Sequence, residues 1–299
     1  WEDEPNNWGA WDVNHFYRET IPDRAKLISS KVIHRTNLSA ILLQQFKIGN
    51  STIEQKITII NDSKLIKFEN KVDWKEEHKM LRVSAQPDIY SPQASYEIQY
   101  GTLQRATHSN TSWDAAKFEV ATQRFADLSQ PDYGFAILND CKYGLFIKEN
   151  VISLNLLRSP KDTDKEADQH THEFTFCYYP HKESLIESNV LEMAHNLNSP
   201  LMKFPVAELP ENRQRSFYNI IGKNVKLEVI KKAEDGNGII VRIYETAGTN
   251  TKITFQTAEK WNQLTETDML ENTIENICEK ANEIELQFKP FEIRTFRLF

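Results

Sequence analysis

His170 and His172 are the residues whose types and spacing come nearest to a metal site. They lie two apart in the segment QHTHEF, so on a strand both imidazoles would share one face and Glu173 would take the other. Neutral imidazole is an ordinary zinc ligand, but a site needs at least one more ligand at a suitable spacing, and none follows. We interpret the pair as a polar strand edge or interface, and we expect neither a metal nor a cofactor in this chain.

Paired carboxylates would indicate glycoside hydrolysis, which needs two of them across the scissile bond. The chain has 43 Asp and Glu residues, and the sequence alone does not place any two of them together. A local cluster of acids lacks the Gly and Glu of an EF-hand loop and favours a solvated acidic loop. It consists of Asp162, Asp164, Glu166 and Asp168. We therefore assign no catalytic residue.

Motifs for other chemistries are missing from the sequence. It contains no G-x-S-x-G nucleophile elbow, no phosphate-binding G-x-x-x-x-G-K-[ST] loop and no G-x-G-x-x-G dinucleotide fingerprint. The sequence motifs therefore give no support for acyl transfer, phosphoryl transfer or dinucleotide redox chemistry.

A series of aromatic and polar residues in loop-like sequence is the remaining candidate for binding. Carbohydrate sites combine flat aromatic rings with Asp, Asn and Arg hydrogen-bonding groups. Core aromatics beside polar strand edges would give the same pattern. The series comprises Tyr96, Tyr100, Arg105, Asn110, Trp113, Asp114, Tyr133 and Tyr143. We retain Asn110, Trp113 and Asp114 as carbohydrate-contact candidates.

The elements that position these residues are predicted to be strands, because short runs rich in β-branched residues alternate between apolar and polar side chains. STIEQKITII and KLIKFENKVDW predict two strands around the turn at Asn61–Ser63. KMLRVSAQ predicts another strand, and YGFAILND with YGLFIKENVISLNLLR predicts a hairpin around Asp140–Lys142. The chain is therefore predicted to be all-β and largely antiparallel.

Helical signals are few. SLIESNVLEMAHNLN is the best helix candidate, SWDAAKFEVATQRFADL offers at most a turn or two, and TDMLENTIENICEKA fits either a helix or an irregular edge. The Pro-containing polar stretch from Ser199 to Gln214 is the best domain boundary. We expect a lead-in at 1–24, a large sandwich at 25–205 and a smaller one at 206–299.

Charge and composition limit which binding partners and which cellular compartment we expect. A net charge of −7 and a pI near 5.7 oppose nucleic-acid binding, and no apolar run is long enough to span a membrane. Three cysteines without CxxC spacing favour a reducing compartment. The sequence begins at Trp1 and has no signal peptide, and we therefore interpret it as a piece of a longer polypeptide.

Several long blocks resemble the C-terminal β region of glycoside hydrolase family 38 α-mannosidases of the cytosolic, vacuolar and bacterial type. The blocks occur in the family's order and cover almost the whole chain. They are WGAWDVNHFY (8–17), YEIQYGTLQRATHSNTSWDAAKFEVATQRFADLS (96–129), YGFAILNDCKYG (133–144), LNLLRSPKDTDKEAD (154–168), HEFTFCYYPH (172–181), KKAEDGNGIIVRIYET (231–246) and PFEIRTFRLF (290–299).

The resemblance implies a galactose-mutarotase-like supersandwich followed by a small β-sandwich. It also implies that the catalytic domain, its zinc ion and a helical domain precede this chain, and that the substrate is a mannose-containing glycan. One arginine of the β region reaches the rim of the substrate cleft in the family, and Arg158 in LLRSP matches its position. A structural arginine at the domain seam is the alternative role for Arg158.

Three functions remain open at the level of sequence. The first is the non-catalytic β portion of a retaining α-mannosidase in the cytoplasm, or in a vacuolar or lysosome-like compartment. The second is a free-standing carbohydrate-binding or assembly module, and the third is a mutarotase-like enzyme supported by fold analogy alone. A homo-oligomer is compatible with each of them.

Overall fold

The chain forms two compact units, and each has its own core. The structure is a computed structural model that describes residues 1–5, 8–206 and 214–299. The first unit comprises Trp1–Glu97 and Leu103–Leu201, and the second comprises Ile98–Thr102 and Met202–Phe299. Residues 1–24, predicted as a lead-in, are part of the first unit. Residues 207–213 of the predicted boundary lie outside the described residues.

A nine-stranded antiparallel sheet is the larger layer of the first unit. Its strand order is β1-β2-β3-β4-β13-β10-β9-β6-β7. The predicted hairpin around Asn61–Ser63 is confirmed, because β3 and β4 pair on either side of it. The strands are β1 (Lys26–Arg35), β2 (Ser39–Ile48), β3 (Ser51–Ile60), β4 (Ile66–Asp73), β6 (Gln93–Ile98), β7 (Gly101–Ala106), β9 (Phe125–Ser129), β10 (Tyr133–Asn139) and β13 (Thr171–Lys182).

A four-stranded sheet is the second layer, in the order β5-β12-β11-β8. It consists of β5 (Leu81–Ala85), β8 (Val120–Ala121), β11 (Gly144–Lys148) and β12 (Val151–Leu157). The inward faces of the two sheets enclose one apolar core that includes Trp74, Tyr96, Leu128, Ile137, Leu145, Ile152 and Phe176. This core explains the period-two pattern, since alternate residues of a strand lie on one face.

The predicted hairpin around Asp140–Lys142 is wrong. β10 pairs with β9 and β13 in the nine-stranded sheet, whereas β11 pairs with β8 and β12 in the other sheet. The connecting turn is tied to β13, because the backbone N–H of Thr175 donates to the Asp140 carboxylate at 2.8 Å. A short loop at the end of a strand can cross between the layers of a sandwich as readily as it can close a hairpin.

Two α-helices lie within the described residues of the first unit. The best helix candidate is confirmed as α2 (Val190–Asn198), which packs Val190 and Ala194 against the outer face of β9, β10 and β13. A short α1 (Ser112–Ala116) is capped by the Thr111 side chain. No helix in the described part of the chain is long and apolar enough to cross a membrane.

The second unit is also built from strands. The ambiguous TDMLENTIENICEKA segment lies largely within strand β18, which pairs with the long β17 over most of its length. The core contains Val241, Phe255, Leu264 and Phe296. The strands are β14 (Tyr218–Ile221), β15 (Val225–Lys232), β16 (Ile239–Glu245), β17 (Thr251–Thr267), β18 (Thr273–Phe288) and β19 (Ile293–Leu298). All six belong to one hydrogen-bonded network, and the predicted all-β class is confirmed.

Candidate functional site

Arg158 directly follows β12 and opens a loop that a single carboxylate shapes. The Asp168 side chain accepts hydrogen bonds from the backbone N–H groups of Arg158 and Ser159, at 3.2 and 3.1 Å. Ser159 takes a left-handed φ of 42°, which lets the chain turn away from the strand. Asp168 therefore fixes the backbone from which the arginine side chain extends.

The Arg158 guanidinium binds the start of the chain. Its Nε donates to Asp3 Oδ2 at 2.5 Å, and its Nη1 lies 3.5 Å from the carbonyl oxygen of Ala10. Asp3 is almost completely buried, and its other carboxylate oxygen accepts from the Asn14 backbone N–H at 2.9 Å. Arg158 thus holds the first residues of the chain against the loop after β12.

One nitrogen of the Arg158 guanidinium makes no hydrogen bond to the described residues. Its Nη2 is buried and has no hydrogen-bond partner among the described residues. A buried N–H group of this kind is normally paired, so an orphan in a folded chain needs an explanation. A hydrogen-bond acceptor from outside the described residues would satisfy it.

Two tryptophans stand beside this arginine. Trp11 follows Ala10, whose carbonyl Arg158 approaches, and Trp8 lies two residues before Ala10; Trp8 is 70% exposed and Trp11 is 68% exposed. Their rings meet edge to face with centroids 6.1 Å apart, and a tight turn returns the Trp11 and Asp12 N–H groups to the Trp8 carbonyl. Trp8 adopts a left-handed φ of 62°, an uncommon backbone for a bulky residue. This turn therefore presents a large apolar surface next to a cation.

The acidic side chains of the loop that includes Asp168 are not directed towards one common site. Asp168 turns towards the Arg158 backbone, while the Glu166 backbone N–H donates to Asp164 at 2.9 Å. In the part of the chain that the structure describes, no three His, Cys, Asp or Glu side chains are grouped so that they could hold a metal ion.

The three carbohydrate-contact candidates lie in and before α1. The Asp114 backbone N–H donates to the Thr111 hydroxyl at 3.1 Å, and that hydroxyl donates to the Asp114 carboxylate at 2.8 Å. The Asn110 backbone N–H lies 3.4 Å from His108 Nδ1, and Trp113 is 80% exposed. Asp114 therefore serves the helix N-terminus, whereas Asn110 and Trp113 are both exposed.

Three other members of the series, Tyr96, Tyr100 and Arg105, make structural contacts, whereas Tyr143 is 48% exposed. Tyr96 is buried in the core, where burial raises the pKa of its hydroxyl, and the Arg105 guanidinium lies 5.5 Å from its ring centroid. The Tyr100 ring meets Tyr244 edge to face within the second unit. The series as a whole is not gathered into one binding surface.

His170 and His172 do lie side by side, with ring centroids 3.9 Å apart. His172 Nε2 is within 2.8 Å of the Asp168 carbonyl oxygen, so one of its ring nitrogens is already occupied. Burial lowers the pKa of His172, and the neighbouring His170 acts in the same direction. The pair does not form a zinc ligand set.

A second cluster that the sequence did not indicate anchors the first residues of the chain. The buried Tyr17 hydroxyl donates to Glu119, which pairs with the buried Arg82 guanidinium at 3.0 Å. Burial raises the Tyr17 pKa. Tyr17 and Glu119 are 102 residues apart, and no local pattern links them.

Family models match both units. The model described as "Glycosyl hydrolases family 38 C-terminal domain" matches residues 1–166, and the one described as "Glycosyl hydrolases family 38 C-terminal beta sandwich domain" matches residues 224–296.

Curated proteins that resemble the chain are much longer. Alpha-mannosidase 2C1 of Mus musculus is 37% identical over 305 residues, which cover 99% of this chain but 29% of the mouse protein. An alpha-mannosidase of Saccharomyces cerevisiae is 33% identical over 335 residues, with 100% of this chain and 30% of the yeast protein covered. The chain thus spans less than a third of these relatives.

The solved structure of an alpha-mannosidase from Enterococcus faecalis V583 shares the fold. It superposes with a TM-score of 0.77 at 15% identity, covering 92% of this chain and 35% of that one.

Proposed function

Because this chain belongs to the C-terminal region of glycoside hydrolase family 38, we propose that it is the non-catalytic β portion of a retaining α-mannosidase. The observation that carries the proposal is the match itself, which spans nearly the whole chain and 28–30% of its α-mannosidase relatives. The substrate would be a glycan with terminal α-linked mannose. The catalytic and helical domains would lie in the preceding part of the same polypeptide.

The chemistry of retention assigns the reactive groups to that preceding part. A retaining enzyme needs a carboxylate nucleophile and a general acid about 5 Å apart, and the zinc-like ion of the family needs a set of ligands. His170 and His172 supply no such set, since no third His, Cys, Asp or Glu side chain is grouped with them among the described residues. We therefore assign the metal to the preceding part and propose no step through it here.

Arg158 is the residue of this chain that we propose for the rim of the substrate cleft. Its buried Nη2 offers a donor that no described residue uses, while Asp3 and Ala10 hold the rest of the guanidinium in place. A planar guanidinium fixed in this way can donate to a sugar hydroxyl or to a carboxylate of the preceding part. Asn110, Trp113 and Asp114 remain weaker candidates, with Trp113 as the exposed ring.

We place the enzyme in the cytoplasm, with a vacuolar or lysosome-like compartment as the alternative. The three cysteines support this choice because all of them are free thiols. Burial raises the pKa of Cys177 to about 12, so that thiol stays protonated and unreactive.

The decisive experiment compares the complete polypeptide with this chain. We expect the product of the full reading frame to hydrolyse an aryl α-mannoside with retention, as followed by NMR of the released sugar. The chain alone should show no turnover. Full-length protein without α-mannosidase activity, or activity that stays with the purified chain, would contradict the proposal.

A free-standing carbohydrate-binding module is the second candidate, favoured by the exposed Trp8, Trp11 and Trp113 rings. Calorimetric titration of the chain with a mannose oligosaccharide separates the two functions. Stoichiometric binding by a chain encoded without a preceding domain would favour the module.

A further inference from the structure

The inward face of β1, β2 and β3 continues beyond the four-stranded sheet, and the described residues leave it partly exposed. Register places alternate residues of these strands on the same face as the core residues Ile53 and Val72. Apolar residues lie on either side of a polar row formed by Ser30, Gln44, Gln55 and Asn70, and we call these apolar residues the shelf. It consists of Leu27, Val32, Leu42, Phe46, Ile57 and Ile59.

The apolar side chains of the shelf are more exposed than is usual for a surface that contacts only water. Leu27, Val32 and Ile59 are each half exposed or more, with Val32 at 56%. Every residue of β1 is exposed, and among the described residues β1 pairs only with β2, so they leave its other edge open. Exposed apolar side chains beside an open strand edge mark interaction sites.

A cavity at the mouth of the sandwich continues the shelf inwards. It has a volume of about 130 Å³ and is lined by Phe46 and Ile53 from the shelf side, with Leu81, Leu156 and Phe174 further in. An apolar side chain inserted by a partner would fill it.

The charge of the same region gives the chemistry of the partner. Residues 24–53 hold five Lys and Arg residues and no Asp or Glu, although the whole chain has a net charge of −7. These five are Arg24, Lys26, Lys31, Arg35 and Lys47. A segment that carries acidic residues and an apolar anchor would complement this edge, while a second copy would bring the same cations against it.

We propose that the shelf and the open edge of β1 are the docking surface for the preceding part of the same polypeptide, which adds an extended acidic segment to β1. This inference rests on the proposed function, because the relatives carry about 70% of their length outside the matched region. The partner forms backbone hydrogen bonds to β1, buries the shelf and places an apolar side chain in the cavity.

Hydrogen exchange of the full-length protein, read by mass spectrometry at amide resolution, tests the proposal. In β1, the amides that point away from β2 have no partner within the described residues, so they exchange freely unless a further strand covers them. We expect them to exchange at least about 100-fold more slowly than an unprotected amide, in a protein that light scattering shows to be monomeric.

Val32→Asp introduces an acid into the shelf, and Ile274→Asp is the matched control on the exposed edge strand β18. The first change should abolish protection of the outward β1 amides, and the second should leave it intact. The amides of β3 and β4 report whether each variant has folded.

Three results would overturn the inference. These are free exchange of the outward β1 amides in the folded wild-type protein, protection only at concentrations where a dimer forms, and protection that survives Val32→Asp in a folded variant. The exchange measurement does not depend on catalysis. Protected β1 in a protein inactive on mannosides would therefore contradict only the proposed function.

Discussion

At the scale of single residues, two nitrogens of the Arg158 guanidinium are in different situations. Its Nε closes a buried ion pair with Asp3, while its Nη2 is buried without a partner among the described residues. The ion pair holds the beginning of the chain, whereas the role of Nη2 is the one that we proposed for the rim of the cleft. The two roles were alternatives at the level of sequence; the structure shows the ion pair with Asp3, and the role at the cleft stays a prediction.

Arg158→Ala in the full-length enzyme should lower both stability and kcat/KM. Loss of the guanidinium leaves the buried Asp3 carboxylate unpaired, which costs about 3 kcal/mol of unfolding free energy. If Nη2 reaches the cleft, kcat/KM falls by about tenfold or more, since tenfold corresponds to about 1.4 kcal/mol of transition-state stabilisation. Denaturant unfolding and steady-state kinetics measure the two effects separately.

Asp3→Asn is the control for this pair, because it weakens the same contact and retains the arginine. We expect a loss of stability with kcat/KM close to that of the wild type. Equal loss of kcat/KM in Asp3→Asn and Arg158→Ala would show that Arg158 acts only by holding the beginning of the chain. Arg158→Lys should restore little in either assay, because an ammonium group does not reproduce the planar fork.

His172 should make the chain less stable as the pH falls. Its folded-state pKa is lowered, chiefly by burial, so below about pH 6.5 the unfolded chain binds more protons than the folded one. The stability contributed by neutral His172 is therefore complete above the unfolded pKa and is lost as the pH falls towards the lower folded value. Chemical denaturation of wild type and His172→Gln between pH 5 and 8 measures it, with His34→Gln, on the exposed β1, as control. A wild-type pH dependence unchanged in His172→Gln would rule the effect out.

At the scale of elements, strand β10 requires glycine at position 134, because neighbouring side chains occupy the space that a Cβ would take. Gly134 lies between Ser129 of β9 and His181 of β13 in the sheet register. The His181 imidazole crosses the space beside Gly134 and reaches the buried Asp127 carboxylate at 2.8 Å. A Cβ at position 134 would lie 2.2 Å from the His181 ring and 2.4 Å from the Ser129 hydroxyl.

Gly134→Ala should therefore destabilise the first unit by about 1–3 kcal/mol through overpacking of this buried cluster. Gly144→Ala in β11 is the matched control, because its nearest neighbour, Asn155 Cβ, would be at an ordinary 3.5 Å. The control should stay within about 0.5 kcal/mol of wild type. Denaturant midpoints at constant m-value give the comparison, and equal midpoints for the two variants would contradict the packing argument.

At the scale of the whole molecule, each unit has its own large apolar core. One lies between the sheets of the first unit, and the other is enclosed by the strands of the second unit around Phe255 and Phe296. Separate cores of this kind are expected to give more than one calorimetric transition.

Phe296→Ala should destabilise the second unit by about 3–5 kcal/mol, since its fully buried ring leaves a cavity when it is removed. Amide exchange of β17 and β19 measures this loss locally. Phe217→Ala, which removes a ring that is 57% exposed in the same unit, should have a much smaller effect. Similar exchange rates in the two variants would contradict this assignment of the core.

Local patterns in the sequence were sufficient for the fold class and for most of the strands. Period-two alternation predicts the β3–β4 hairpin, because each strand has one face on the core, and spacings of three and four predict α2. The extended blocks shared with glycoside hydrolase family 38 predict the family, since their order along the chain is itself informative. These features depend on residues that are close together in sequence.

Contacts between residues far apart in sequence were decided only by the tertiary structure. β10 and β11 carry the same alternating pattern, yet they lie in different sheets, because the pattern fixes which face is buried and not which strand becomes the neighbour. The β18 segment fits a helix in isolation and becomes a strand because β17 supplies its hydrogen bonds. Arg158 meets an acid 155 residues away. Burial and pairing of this kind depend on how the whole chain packs, which is why the candidate site could be named from the sequence only by its arginine.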